Sequence, residues 1–113
     1  MKALTFKRYG KSPDIAFAEL PRPTLRDDEL LVEVHAVGLN PIDNMIPTGM
    51  FKPVLKFQLP ATIGSDLAGV VKEVGKRVTR FKPGDAVFAS LFDLGTGSLA
   101  ELAVVPERAA APM

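Results

Sequence analysis

Apolar residues recur at every second position over much of this chain, and that spacing predicts strands. Glu29–Gly38, ELLVEVHAVG, is the clearest case. Leu30, Val32, Val34 and Ala36 fall on one side, and Leu31, Glu33, His35 and Val37 on the other. Met1–Lys7, Asp14–Leu20, Leu67–Val74, Ala86–Ser90 and Leu99–Val105 are the other expected strands. Turn residues separate them. Gly10–Pro13 is a turn cluster, Pro21 and Pro23 break the second strand, Gly75 and Lys76 turn the chain, and Pro106 stops the last strand. Lys82–Asp85, KPGD, predicts a type II turn. Pro83 presets φ at its second position, and Gly84 accepts the positive φ required at the third.

One segment predicts a helix, from Pro41 to about Ile46. Asn40 fits the N-cap, Pro41 the first helical position, and Asp43 follows three residues after the cap. Pro47 and Gly49 end it early. From Pro47 to Ile63 three prolines exclude a long regular element, so a long irregular loop is expected. Phe51, Leu55, Phe57 and Leu59 on that loop need burial, either in the core or as the wall of a binding cleft. Many short strands with Gly/Pro turns give a mainly β fold: a partly open antiparallel β-barrel with one short helix.

Composition adds boundaries to this picture. A chain of 113 residues buries about two thirds of its unfolded surface, enough for one core. Its net charge of +1 lacks the basic stripe of a nucleic-acid binder. Lys76, Arg77, Arg80 and Lys82 cluster, but between strands, where a solvated hairpin face is the simpler reading. The N-terminal apolar run is too short for a signal peptide, and no run approaches the roughly 18 apolar residues of a membrane span. A cytoplasmic protein without membrane contact is expected.

The side chains available for catalysis are few. There is no cysteine and one histidine, whereas zinc is held by three or four Cys, His or carboxylate ligands. A serine triad needs a histidine base. His35 is the one candidate, and it sits mid-strand beside Glu33, as a half-exposed strand histidine would. Neither G-x-x-x-x-G-K-[ST] nor G-x-G-x-x-G occurs, and GTGS at Gly95–Ser98 reads as a flexible turn, so a dinucleotide's pyrophosphate has no cradle here. The residues alone do not define a reaction.

Three ordered stretches do. GLNPID (38–43), IGSDLAGVVKEVGKRV (63–78) and FKPGDAVFA (81–89) together resemble the N-terminal, GroES-like domain of medium-chain dehydrogenases/reductases. LPRPTLRDDELLVEVHAVGLNP (20–41) and GSLAELAVVP (97–106) extend the resemblance over essentially the whole chain. Within that family the sequence looks like the zinc-independent quinone oxidoreductases of the zeta-crystallin type. Asn40 stands where zinc enzymes carry a cysteine, and Gly64-Ser65-Asp66 where they carry Gly-His-Glu. The resemblance implies hydride transfer from NADPH to a quinone or an α,β-unsaturated carbonyl, without zinc. It places Asn40 and Ser65 as catalytic candidates, and Asn40, Pro41 and Met45 beside the cofactor. Asn40 then both caps the helix and lines the cleft, where its amide can donate to an oxygen. Ser65 either offers a hydroxyl or closes a tight strand entry. Asp66 either orients a cleft neighbour or makes a structural ion pair or hydrogen bond. Met45 departs from the tyrosine that several such reductases carry, which removes a hydroxyl donor. The resemblance further implies a Rossmann domain following residue 113, an inactive 113-residue piece, and a homodimer built through the cofactor domain. The alternatives are a non-enzymatic GroES-like binding or scaffold module, and a zinc alcohol dehydrogenase with altered ligands.

Overall fold

The computed structural model describes residues 1–6, 16–38, 61–91 and 97–113. Its strands are β1 (Lys2–Phe6), β2 (Ala16–Glu19), β3 (Glu29–Ala36), β4 (Ala61–Thr62), β5 (Asp66–Val74), β6 (Ala86–Ser90), β7 (Leu102–Pro106) and β8 (Ala110–Pro112). They form two antiparallel sheets, ordered β2-β1-β4 and β7-β3-β5-β6-β8. The segment between Ser98 and Glu101 stitches these together. Leu4 N donates to Leu99 O (2.8 Å), Glu101 N to Lys2 O (3.1 Å) and Val34 N to Glu101 O (3.0 Å), and Ala3 bridges Ala100. The result is a mainly β, partly open barrel, as the alternation predicts. The expected helix at Pro41–Ile46 and the apolar loop Phe51–Leu59 lie outside the described residues. The described helical element is the 3-10 turn Glu107–Ala109, and no described helix is long and apolar enough to cross a membrane.

The core lies on the inner face of the larger sheet. Leu30, Val32, Val71, Val87 and Val105 are at most 1% exposed, and Leu67, Phe81 and Leu91 pack with them. β5 and β6 alternate as half-buried strands should: Leu67 and Val71 point inward, as do Val87 and Ala89, while Ala86, Phe88 and Ser90 are exposed. Each fully buried aliphatic side chain contributes roughly 1.5–3 kcal/mol of transfer free energy.

β3 departs from the simple alternation. Its pairing with β5 shifts register between Leu31 and Val32 and again between Val34 and Ala36. Such an irregularity re-aims the side chains beyond it. Leu30 and Val32 therefore reach the core, but Ala36 pairs with Ala68 and turns to the opposite, exposed face. Leu31, expected on the polar side, is nevertheless 2% exposed. The last long strand also differs: it runs Leu102–Pro106 rather than Leu99–Val105. Residues 99–101 divide their hydrogen bonds between both sheets instead of forming one ladder. Pro106 ends the strand from within, since a terminal edge position needs no N–H. Ala61–Thr62, placed in the irregular stretch by its prolines, pairs briefly with β1.

The KPGD turn forms as its residues dictate. Gly84 has φ of 96°, and Asp85 N donates to Lys82 O at 3.1 Å. The Asp85 carboxylate accepts from Lys82 Nζ and from Lys82 N, both at 3.0 Å. Those bonds, the side-chain one foremost, hold the Asp85 carboxyl below its ordinary value.

Candidate functional site

The entry to β5 is tightly held. Gly64 has φ of 103°, a region that side-chain-bearing residues rarely adopt. Ser98 N donates to Gly64 O at 3.2 Å, Leu99 N to Ile63 O at 2.9 Å and Leu91 N to Ser65 O at 2.6 Å. Ser65 is thus pinned from both sides and is 4% exposed. A Cβ at Gly64 would overlap the hydroxyl of Ser98. That hydroxyl is fully buried and has no hydrogen-bond partner among the described residues. The close approach of two backbones, rather than polar satisfaction, fixes this corner.

Asp66 follows, half-buried, opposite Ser90 of β6. Gly38 lies against it: a Cβ built there would sit 3.7 Å from the Asp66 Cβ and 3.9 Å from its Oδ2. Gly38 and the Gly64-Ser65-Asp66 corner therefore meet. Asn40, Pro41 and Met45 themselves lie outside the described residues. From Asp66 a cleft of about 670 Å³ extends over Ala36, Ala68 and Phe88. Among the described residues, Asp66 is the single ionisable one lining it. The described lining holds no lysine or arginine and suits an apolar group. Phe88 lies on the face opposite Val87, and nothing in the sequence showed that small residues surround it.

His35 does what a half-exposed strand histidine does. Its Nε2 lies 3.0 Å from Glu33 Oε1, and Lys72 Nζ lies 3.3 Å from Glu33 Oε2. Among the described residues it joins no nucleophile, and they contain no group of three or more His, Cys, Asp or Glu able to hold a metal. The hydrogen bond from His35, then that from Lys72, hold the Glu33 carboxyl below its ordinary value. The sign of the linkage follows. A carboxyl depressed in the folded state contributes stability above its unfolded pKa, and that contribution disappears as pH falls through the folded value. Carbon-detected NMR titration should find Glu33 ionising below an ordinary glutamate. It should move back up in His35→Ala and in Lys72→Ala. An unchanged midpoint in both variants would contradict the assigned cause.

The architecture and this corner define the class. Residues 26–113 match the alcohol dehydrogenase GroES-like domain, and the chain belongs to that family. Among curated relatives, it is 40% identical to the chloroplast envelope quinone oxidoreductase homolog of Arabidopsis thaliana. That match covers 96% of this chain and 33% of the relative. It is 37% identical to the quinone oxidoreductase of Rattus norvegicus, over 100% of this chain and 33% of the relative. Among solved structures, it superposes on the quinone oxidoreductase from Coxiella burnetii with a TM-score of 0.88 at 30% identity, covering 99% of this chain and 36% of that one. On Escherichia coli quinone oxidoreductase complexed with NADPH the TM-score is 0.82 at 26% identity, covering 100% and 33%. The chain spans about a third of the length of these relatives.

Proposed function

We propose that this chain is the substrate-side domain of a longer, zinc-free, NADPH-dependent oxidoreductase that reduces quinones or α,β-unsaturated carbonyls. The observation that carries the reading is the likeness over nearly the whole chain to quinone oxidoreductases, one of them solved with NADPH. A scaffold module is not favoured, because these relatives are named as oxidoreductases. Independence from zinc is supported by the donor set: no cysteine in the chain, and one histidine, already hydrogen-bonded to Glu33. Cytoplasmic residence and a homodimer of the longer protein belong to the same proposal.

The described residues suit one end of the cofactor. Among the described residues, the cleft beside Asp66 carries no cation for the phosphates, and the dinucleotide's anionic part would be held by other parts of the longer protein. Asn40, Pro41 and Met45 would face the nicotinamide end. When bound, NADPH supplies a hydride to the acceptor, and one proton from solvent completes the hydroquinone or the saturated carbonyl. This chain's contribution is to bind, orient and polarise. The Asn40 amide N–H donates to the acceptor oxygen as negative charge develops there, which lowers the barrier more than it tightens ground-state binding. Ser65, whose carbonyl accepts from Leu91 N, would add a hydroxyl to the cleft.

Loss of one such donor costs about 10²- to 10³-fold in kcat. Asn40→Ala in the full-length protein should therefore lower kcat for quinone reduction by about 100-fold, with NADPH affinity nearly unchanged. Asn40→Ser, which keeps an N-cap oxygen, should be almost as slow. If Asn40→Ser restores wild-type turnover, the residue is a helix cap and not a donor.

A further inference from the structure

β3 and β5 each carry one residue more than their shared ladder uses, at different places. Leu31 pairs with Glu73 but Val32 with Val71, so Lys72 is the extra residue on β5. Val34 pairs with Gly69 but Ala36 with Ala68, so His35 is the extra residue on β3. The second bulge cancels the first, and the slip is confined to the pairs made by Val32, Glu33 and Val34. Within that window Val32 faces Val71, and both are at most 1% exposed in the core. Closing the slip would set Val32 against Lys72, so burial keeps both bulges in place. Gly69 lets the strands come together there, because a Cβ at Gly69 would overlap the Glu33 carbonyl oxygen. One side chain holds both extra residues. The Glu33 carboxylate lies 3.0 Å from His35 Nε2 through Oε1, and 3.3 Å from Lys72 Nζ through Oε2.

We propose that Glu33 is a positioning residue, whose carboxylate clasps the two bulges and so fixes the path on which residues 36–38 leave the sheet. The inference rests on the reductase reading and deepens it. A bulge re-aims the strand beyond it. Past His35, Ala36 lies on the exposed face and Gly38 lies against Asp66. Asn40 follows Gly38 by two residues, so the path of residues 36–38 limits where the Asn40 amide can reach. Glu33 acts through the backbone and not on the reacting atoms.

The test is steady-state kinetics of the full-length protein, with kcat taken per NADPH-binding site so that unfolded chains do not count. Glu33→Ala should lower kcat for quinone reduction about fivefold, the scale that an exposed clasp supports. Both KM values should change by less than about twofold, since the interaction lost acts on the orientation of the reacting groups and not on ground-state binding. Glu33→Gln, whose amide carries both a donor and an acceptor for these partners, should recover most of the loss. His35→Ala added to Glu33→Ala should lower kcat no further, because the two residues act through one contact. Arg22→Ala, which breaks an exposed pair with Glu73 on the same β5 strand, should turn over as wild type. Glu33→Ala at wild-type kcat overturns the proposal, as do multiplying losses in the double variant and a Glu33→Gln as slow as Glu33→Ala. A lower melting temperature with kcat per site unchanged makes the residue merely structural and also overturns it. A wild-type protein without quinone turnover sinks the reductase reading alone. Amide shifts in Glu33→Ala then decide this proposal: displacement reaching residues 36–38 sustains it, and shifts confined to residues 33, 35 and 72 overturn it.

Discussion

Leu30→Ala is expected to destabilise the domain by about 4 kcal/mol. Leu30 is 0% exposed on β3, the second strand of the larger sheet, between Val105 of β7 and Val74 of β5. Truncation removes three heavy atoms from the middle of the cluster formed with Val32, Leu67, Val71 and Val87. The neighbours belong to three hydrogen-bonded strands and cannot collapse into the space, so the cavity cost adds to the lost transfer energy. A chain of this size is stable by only about 6–17 kcal/mol in total, and the variant should melt roughly 20 °C lower. Phe17→Ala supplies the contrast. That side chain is 79% exposed on β2, and its removal should change stability by less than about 0.5 kcal/mol. Equal losses in the two variants, read by urea unfolding, would mean that the core is not where the alternation places it.

Gly97→Ala should cost about 3 kcal/mol and disturb the Ser65 corner as well. A methyl group there would overlap the carbonyl oxygen of Thr62 and lie 2.8 Å from that of Ile63. Both are backbone atoms, and neither can swing aside. Ile63 O already accepts from Leu99 N at 2.9 Å, and Gly64 O from Ser98 N at 3.2 Å, so relief must open the contact that pins Ser65. The expected signature is a melting temperature lower by roughly 15 °C, with amide shifts concentrated at residues 62–66 and 97–100. A small loss, with shifts confined to residue 97, would show that the two segments are not in this close contact.

These two sites differ in how far the sequence revealed them. The strands from Leu67 and Ala86 were legible because each is buried on one face, and burial imposes a period of two. KPGD was legible because proline and glycine act locally. The turn of Ala36 to the outer face was not, since it depends on where β3 slips against β5. No residue in ELLVEVHAVG marks that slip, because bulges arise between strands. β8 was missed for a related reason. Ala110, Ala111 and Pro112 have neither alternation nor β-propensity, and they are extended because β6 offers an edge. The contact of Gly97 with Thr62 joins residues far apart in the chain, and a glycine alone does not name its neighbour.

The site shows the same division. Composition excluded cysteine ligands, and the strand pattern placed His35 beside Glu33, where it is. The importance of Gly64-Ser65-Asp66 came from resemblance. The structure adds a physical account of that corner: a positive φ at Gly64, a serine held by backbone bonds, and Gly38 against Asp66. Local rules of sequence could not supply this, because three separate segments build it.

The central claim is most directly tested by turnover of the unmodified full-length protein after thorough metal chelation. NADPH oxidation would be followed in the presence of a benzoquinone, with zinc measured in the same sample. The account predicts quinone-dependent NADPH oxidation that survives chelation, at less than about 0.1 zinc per chain, since residues 1–113 hold no cysteine and one histidine. Activity lost on chelation and restored by about one zinc per chain would contradict it, as would a folded full-length protein that oxidises NADPH with no quinone or enone.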